Sequence, residues 1–130
     1  MILDTSAVVA VLQHEPEAER FATAISAARV ATISAANWFE AAIILDSRAD
    51  PQAVSGFAEF FDRFGIAIAP VTVAEAARAR TAYRVWGKGN HPARLNLGDC
   101  FAYALAKERG EPLLFKGGDF ARTDIVSALG

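Results

Sequence analysis

The stretch Arg94–Phe120, RLNLGDCFAYALAKERGEPLLFKGGDF, decides how the rest of the chain is read. A helix is entered at Gly98-Asp99, carries the apolar run around Phe101, Ala102, Ala104 and Leu105, and stops at Gly110. Pro112 to Phe115 then reads as a short buried strand, and Gly117-Gly118 lead the chain into Asp119. One carboxylate thus stands at a helix start and another just past a strand end. In an α/β fold, ligands gather at the loops leaving the C-terminal ends of parallel strands.

The same alternation runs through the residues before it. Met1 to Leu3 is an apolar strand, followed by Asp4-Thr5-Ser6 and a helix from Ala7 to about His14. Pro16 opens a second helix with Ala18, Phe21, Ala22 and Ile25 on one face, and Val30 to Ile33 is a second strand. Ser34 caps a third helix reaching about Ser47; Asp50-Pro51 starts a fourth, striped by Val54, Phe57, Phe61 and Phe64 and ended by Gly65. Ile66 to Ala69 is a third strand. Thr72 to Glu75 fits a capping box opening a fifth helix, which runs to about Trp86. Asp124 to Ala128 is a last short strand or helix. Short apolar strands alternating with helices predict one α/β domain over residues 1–130, three-layered, with a mostly parallel sheet of four to five strands flanked by helices.

Composition narrows the class of molecule. With 53% apolar and 22% charged residues and a net charge of −2, the chain has the balance of an ordinary globular domain, not of a basic protein that coats nucleic acid. Cys100 is the single cysteine, so no internal disulfide forms; among Phe101, Ala102 and Ala104 it reads as a small buried hydrophobe. His14 and His91 lack zinc-ligand spacing. No export signal is recognisable, and the longest apolar run, Ala7 to Leu12, is too short to cross a bilayer, which predicts a cytoplasmic protein.

Most acids, including Glu17, Glu19, Glu59, Asp62, Glu75, Glu108 and Glu111, fall on polar faces or caps. Four do not read so simply. Asp4 ends an apolar strand, where it also suits a helix cap. Glu40 has Ala36, Ile43 and Ile44 one turn away, with a pairing to Arg48 or Arg29 as the alternative to a site. Asp99 suits its own helix N-terminus, and Asp119 a turn. Asp4 and Asp119 follow the first and fourth predicted strands, and Asp99 begins the helix feeding the fourth; if those strands are neighbours, these carboxylates share one edge of the molecule. Like charges about 4 Å apart repel by about 1 kcal/mol in water and about 4 kcal/mol at an effective dielectric of 20. No matching buried basic set is evident, so a divalent cation is the economical counter-charge, and an all-oxygen donor set selects Mg²⁺ or Mn²⁺.

The segments DTSA at Asp4–Ala7, Glu40 alone in its helix, LNLGDCFAYALA at Leu95–Ala106 and LLFKGGDF at Leu113–Phe120 together resemble the PIN-domain family. More narrowly, they are similar to VapC-type ribonuclease toxins of bacterial type II toxin–antitoxin modules. The resemblance runs in order over the whole chain. It implies a PIN-like fold in which Asp4, Glu40, Asp99 and Asp119 surround Mg²⁺, with Ser6 supporting them and Asp124 as an outlying or structural acid. Gly118 stands where family members often carry a further polar or acidic residue, which leaves Asp119 alone in the last motif.

The resemblance further implies cleavage of a structured RNA, transfer or ribosomal, a VapB-like antitoxin, a homodimer, and a complex with antitoxin on DNA. An acidic centre needs cations at its rim to receive a phosphate chain. Arg84, Lys88 and Arg94, with His91 and Trp86 between them, and Lys116 and Arg122 beside Asp119 are the candidates for RNA contact. Two other readings fit parts of the pattern. A phosphatase-like hydrolase would use Asp4 as phosphoacceptor, although Ser6 occupies the second position of the usual DxD; a binding module would keep the fold without activity.

Overall fold

The computed structural model describes residues 1–130. Its strands are short, and all but the edge strand over residues 67–69 are fully buried. β1 (Ile2–Leu3), β2 (Thr32–Ser34), β3 (Ala67–Ala69) and β4 (Leu113–Leu114) form one fully parallel sheet in the order β3-β2-β1-β4. Ile2 pairs with Thr32 on one side and Leu113 on the other, and Ile33 pairs with Ile68. Side chains alternate faces along a strand, and the core divides accordingly. Leu3, Ile33 and Leu114 join a core on one face with Val8, Phe21 and Phe61. Ile2 and Leu113 join a second core on the other face with Leu95, Leu105 and Phe120. The expected three-layer arrangement follows from this split.

On the first face pack α1 (Thr5–Leu12), α2 (Ala18–Ala27), α3 (Ala35–Ser47) and α4 (Pro51–Phe64); on the second, α5 (Val73–Trp86) and α6 (Leu97–Arg109). Their ends follow local chemistry. Asp50 accepts from the N–H groups of Gln52 and Ala53 at the start of α4, and Gly65 closes it in the left-handed conformation at φ 61°. No helix is long and apolar enough to cross a membrane.

Several boundaries differ from the sequence-based expectation, among them the start of α2 at Ala18, with Pro16 in the turn before it. α1 begins at Thr5, two residues early, because the Asp4 side chain caps it through Ser6 N–H. β2 begins at Thr32, since Val30 lies outside the sheet and is exposed. The segment after Asp124 is neither a full strand nor a helix: a single bridge between Leu113 and Ser127 seals the outer edge of β4. Along α4, Phe60 and Phe61 are buried and Val54 faces out, a rotation of the predicted stripe towards α1.

Candidate metal centre

The sheet order fixes where a site can form. From β1 the chain builds β2 and then β3 to one side, and β4 returns to the other side of β1. The crossovers diverge at that switch, leaving a crevice outside the C-terminal ends of β1 and β4. Asp4 is the first residue past β1, and its N–H donates to the Leu114 carbonyl at 2.9 Å. Its Oδ2 accepts from Ser6 N at 3.0 Å and from Ser6 Oγ at 2.6 Å. Oδ1 is buried and has no hydrogen-bond partner. Burial pushes the Asp4 carboxyl up to about 6; the Ser6 bonds oppose the rise and the nearby Glu40 charge adds to it.

Asp99 arrives from the opposite side on the first turn of α6. A reciprocal capping box holds it: Asp99 N–H donates to Asn96 Oδ1 at 2.9 Å, and Asp99 Oδ2 accepts from Asn96 N–H at 3.0 Å. Capping and a site are therefore not rival explanations here. Asp4 and Asp99 each use Oδ2 to cap a helix, and the carboxyls still meet across one cavity. Burial first, and then the charges of Asp4, Glu40 and Asp119, together raise Asp99 to about 7 against the opposing Asn96 hydrogen bond.

Glu40 is delivered by α3, whose register is fixed by a buried amide. Asn37 Nδ2 donates to the Gly98 carbonyl at 2.9 Å and to Thr5 Oγ1 at 3.2 Å, and Thr5 Oγ1 donates to the Asn37 carbonyl at 3.1 Å. One amide thus ties α1, α3 and the start of α6 together. Gly98 lets Glu40 lie against that start, because a Cβ there would be driven into the Glu40 carboxylate. Asp4, Glu40 and Asp99 line one cavity of about 250 Å³ with Ser6, Asn96, Glu15, Arg48 and Lys116.

The remaining sequence-derived candidates fall outside that group or are held in other pairings. Asp119 is exposed at the start of a 3-10 turn, Phe120–Arg122, and does not line the cavity, though its charge reaches Asp99. Ser6 sits at the centre: besides donating to Asp4, its Oγ accepts from Lys116 N–H at 3.0 Å and so joins the ends of β1 and β4. Asp124 is tied to the outer half of α6, accepting from Tyr103 Oη at 2.6 Å and Lys107 Nζ at 2.8 Å. Those two bonds hold its carboxyl below the usual range.

Lys116 reaches the rim but is ion-paired to Glu15 and Glu17. Arg84, Lys88 and Arg94 are exposed, with the loop they frame pinned by Lys88 N–H to Leu95 O and Leu95 N–H to Trp86 O. Trp86 does not face solvent as a base platform would. Its Nε1 donates to Tyr103 Oη, and its ring packs edge-on against His91.

Two residues, Asn37 and Glu75, escape the sequence reading, and Arg48 pairs differently from the alternative it offers. Asn37 carries no local signal, because its task is set by backbone 61 residues away. Arg48 meets Glu15 at 3.8 Å at the cavity rim, not Glu40. Glu75, expected on a solvated cap, is buried. Thr72 Oγ1 does accept from Glu75 N–H, but the Glu75 carboxylate turns inward to accept from Ser34 Oγ at 3.4 Å.

The cavity residues fit a hard divalent cation. Asp4 presents an unpartnered buried oxygen, the acidic donors are all oxygen, and neighbouring carboxylates add to the burial that raises Asp4 and Asp99. No three of these acids stand close enough together to form a ready-made metal cage. The PIN domain family matches residues 1–126. Ribonuclease VapC28 of Mycobacterium tuberculosis is 45% identical over 130 residues, 99% of this chain and 98% of its own. Ribonuclease VapC of Mycolicibacterium smegmatis is 45% identical over 127 residues, 98% of each chain. The crystal structure of Mycobacterium tuberculosis VapC20, described as a sarcin-ricin loop cleaving toxin, has the same fold, with a TM-score of 0.77 at 18% identity over 96% of this chain and 95% of that one. With its carboxylates gathered at the β1–β4 switch and these relatives matching it end to end, the chain belongs to the PIN-domain family, among the VapC ribonucleases.

Proposed function

We propose that the chain is a Mg²⁺-dependent endoribonuclease, the toxin of a type II toxin–antitoxin pair, acting in the cytoplasm on a structured transfer or ribosomal RNA. Cleavage would leave 5′-phosphate ends and stop translation. The observation that carries the reading is the buried, unpartnered Oδ1 of Asp4 beside Asp99 and Glu40. Asp4 and Asp99 would hold Mg²⁺, with Mn²⁺ as a substitute. When bound, the ion supplies a Lewis acid and a water of lowered pKa.

The protein groups do the rest. Ser6 keeps Asp4 oriented by two hydrogen bonds, and Asn96 does the same for Asp99. Glu40 lines the cavity without a hydrogen-bond partner of its own and takes the proton of the attacking water. Asp119, outside the cavity, raises the pKa of Asp99. Arg48 and Lys116 at the rim exchange their glutamate partners for phosphate oxygens. Asp4 is a poor phosphoacceptor, being 4% exposed with one oxygen twice hydrogen-bonded. The likeness to VapC ribonucleases supports a VapB-like antitoxin as partner; the homodimer and the toxin–antitoxin complex on DNA belong to the same proposal.

The test is antitoxin-free protein incubated with total cellular RNA and Mg²⁺, with and without chelator, beside Asp99→Asn. Discrete cuts bearing 5′-phosphate, abolished by chelator and by Asp99→Asn, are expected. Neither cleavage nor Mn²⁺ binding would leave a non-catalytic binding module.

A further inference from the structure

A second cavity, of about 550 Å³, lies between α5 and α6 on the other side of Asn96. Tyr83 and Arg80 reach it from α5, Leu97 and Phe101 from α6, and Lys88 from the loop between them. Asn96 lines both cavities and is hydrogen-bonded twice to Asp99. The groove therefore begins about one helical turn from a carboxylate of the proposed metal centre. Leu97 and Phe101, four residues apart, share one face of α6.

This groove is not a gap in the core. Leu97 is 74% exposed and Tyr83 41%. Its wall is nonetheless fixed: Tyr83 Oη donates to the Lys88 carbonyl at 3.1 Å, and the Tyr83 carbonyl accepts from Asn90 Nδ2 at 3.1 Å. The charged side chains lining it, Arg80 and Lys88, are both cations, in a chain whose net charge is −2. An apolar, aromatic slot with cations at its edge matches a base between two phosphates.

We infer that this groove holds an unpaired nucleobase adjoining the scissile phosphate, an inference that rests on the ribonuclease reading above. The base lies against Tyr83, Phe101 and Leu97, while Arg80 and Lys88 take the flanking phosphates. Asn96 gives the slot a preference. Its Oδ1 is occupied by Asp99 N–H, which leaves Nδ2 as its free group, a donor suited to a carbonyl or ring-nitrogen acceptor on a base edge. A protein partner is the competing occupant. Continuity with the carboxylate cavity and the all-cationic rim favour RNA.

The experiment measures affinity for a labelled single-stranded RNA oligonucleotide, and for a fully abasic oligomer of the same length, by anisotropy in EDTA so that nothing is cleaved. Tyr83→Ala and Leu97→Ala are expected to weaken binding of the normal oligonucleotide about tenfold, and Tyr83→Phe to retain it. The abasic oligomer should not distinguish the variants. Unchanged affinity in both alanine variants, or an equal loss with the abasic oligomer, overturns the inference. A Leu97→Ala protein that changes sedimentation state while binding RNA normally assigns the groove to a second copy of the chain and overturns it too. Wild-type protein that binds no RNA removes the nuclease reading together with the groove, whereas wild-type binding indifferent to the variants removes only the groove.

Discussion

Asp4 and Glu75 are buried almost equally, at 4% and 2% exposure, and burial raises the pKa of both. What surrounds them differs. Asp4 faces Glu40 and Asp99, and one of its oxygens has no partner. Glu75 feels Glu108 as a second raising influence, but Ser34, Arg109 and Arg78 pull the other way. A buried acid is thus no indication of a site by itself. The sign of its neighbours is: a set of like charges is stable only with a cation among them, whereas an acid answered by a hydroxyl and arginines needs nothing further.

The largest effect expected from this contrast is in Asp4→Asn. Cleavage should fall at least a hundredfold, about the loss seen when one preorganised electrostatic group is removed, while the metal-free protein becomes more stable at pH 8. The sign follows from proton binding. Asp4 and Asp99 titrate near 6 and 7 in the folded chain against 3.8 ordinarily, so the native state holds protons that the unfolded chain releases. Stability of the metal-free protein is then full below about pH 4 and declines as pH rises towards 7. Thermal melts in EDTA should show a higher Tm at pH 5 than at pH 8, with Mg²⁺ restoring the loss at pH 8. A metal-free Tm that rises with pH over this range would break the contrast.

Gly98→Ala is expected to be intermediate. Its Cβ would displace the Glu40 carboxylate, costing about 1–3 kcal/mol of stability and, by misplacing one group of the site, about a hundredfold in cleavage. Denaturant titration and a cleavage assay measure the two separately; wild-type activity would show that Glu40 does not act from this position. The smallest effect belongs to Glu75→Gln. The amide oxygen keeps an acceptor for Ser34, so cleavage should be unchanged and stability should move by under about 1 kcal/mol. Loss of Mn²⁺ binding in Glu75→Gln would erase the distinction between the two acids.

The sequence revealed Asp4, Glu40 and Asp99 because each interrupts an apolar pattern that the fold needs. It could not reveal Glu75. The capping-box pattern is the same whether the glutamate reaches back to its own helix or turns inward, and here Ser34, 41 residues away, decides. Trp86 was misread for a similar reason. Its place in a basic loop suggested a surface role, while its direction is set by Tyr103 on the next helix. Asp119 lay at the expected distance past β4, but the 3-10 turn that starts there carries it outside the cavity. Local pattern identifies residue types that need explaining; contacts distant in sequence determine which way they point.

The pairing of β1 with β4 also sets an order of events during synthesis. Ile2 and Leu3 leave the ribosome first, and their partners Leu113 and Leu114, with the Lys116 N–H that Ser6 accepts, come more than a hundred residues later. Contacts this distant in sequence are the slowest to form. A nascent chain that has not yet released Lys116 from the ribosome has an open edge where the carboxylates should meet. The site therefore assembles last of the elements that build it, and the chain cannot present it to RNA until β4 and Lys116 have left the ribosome.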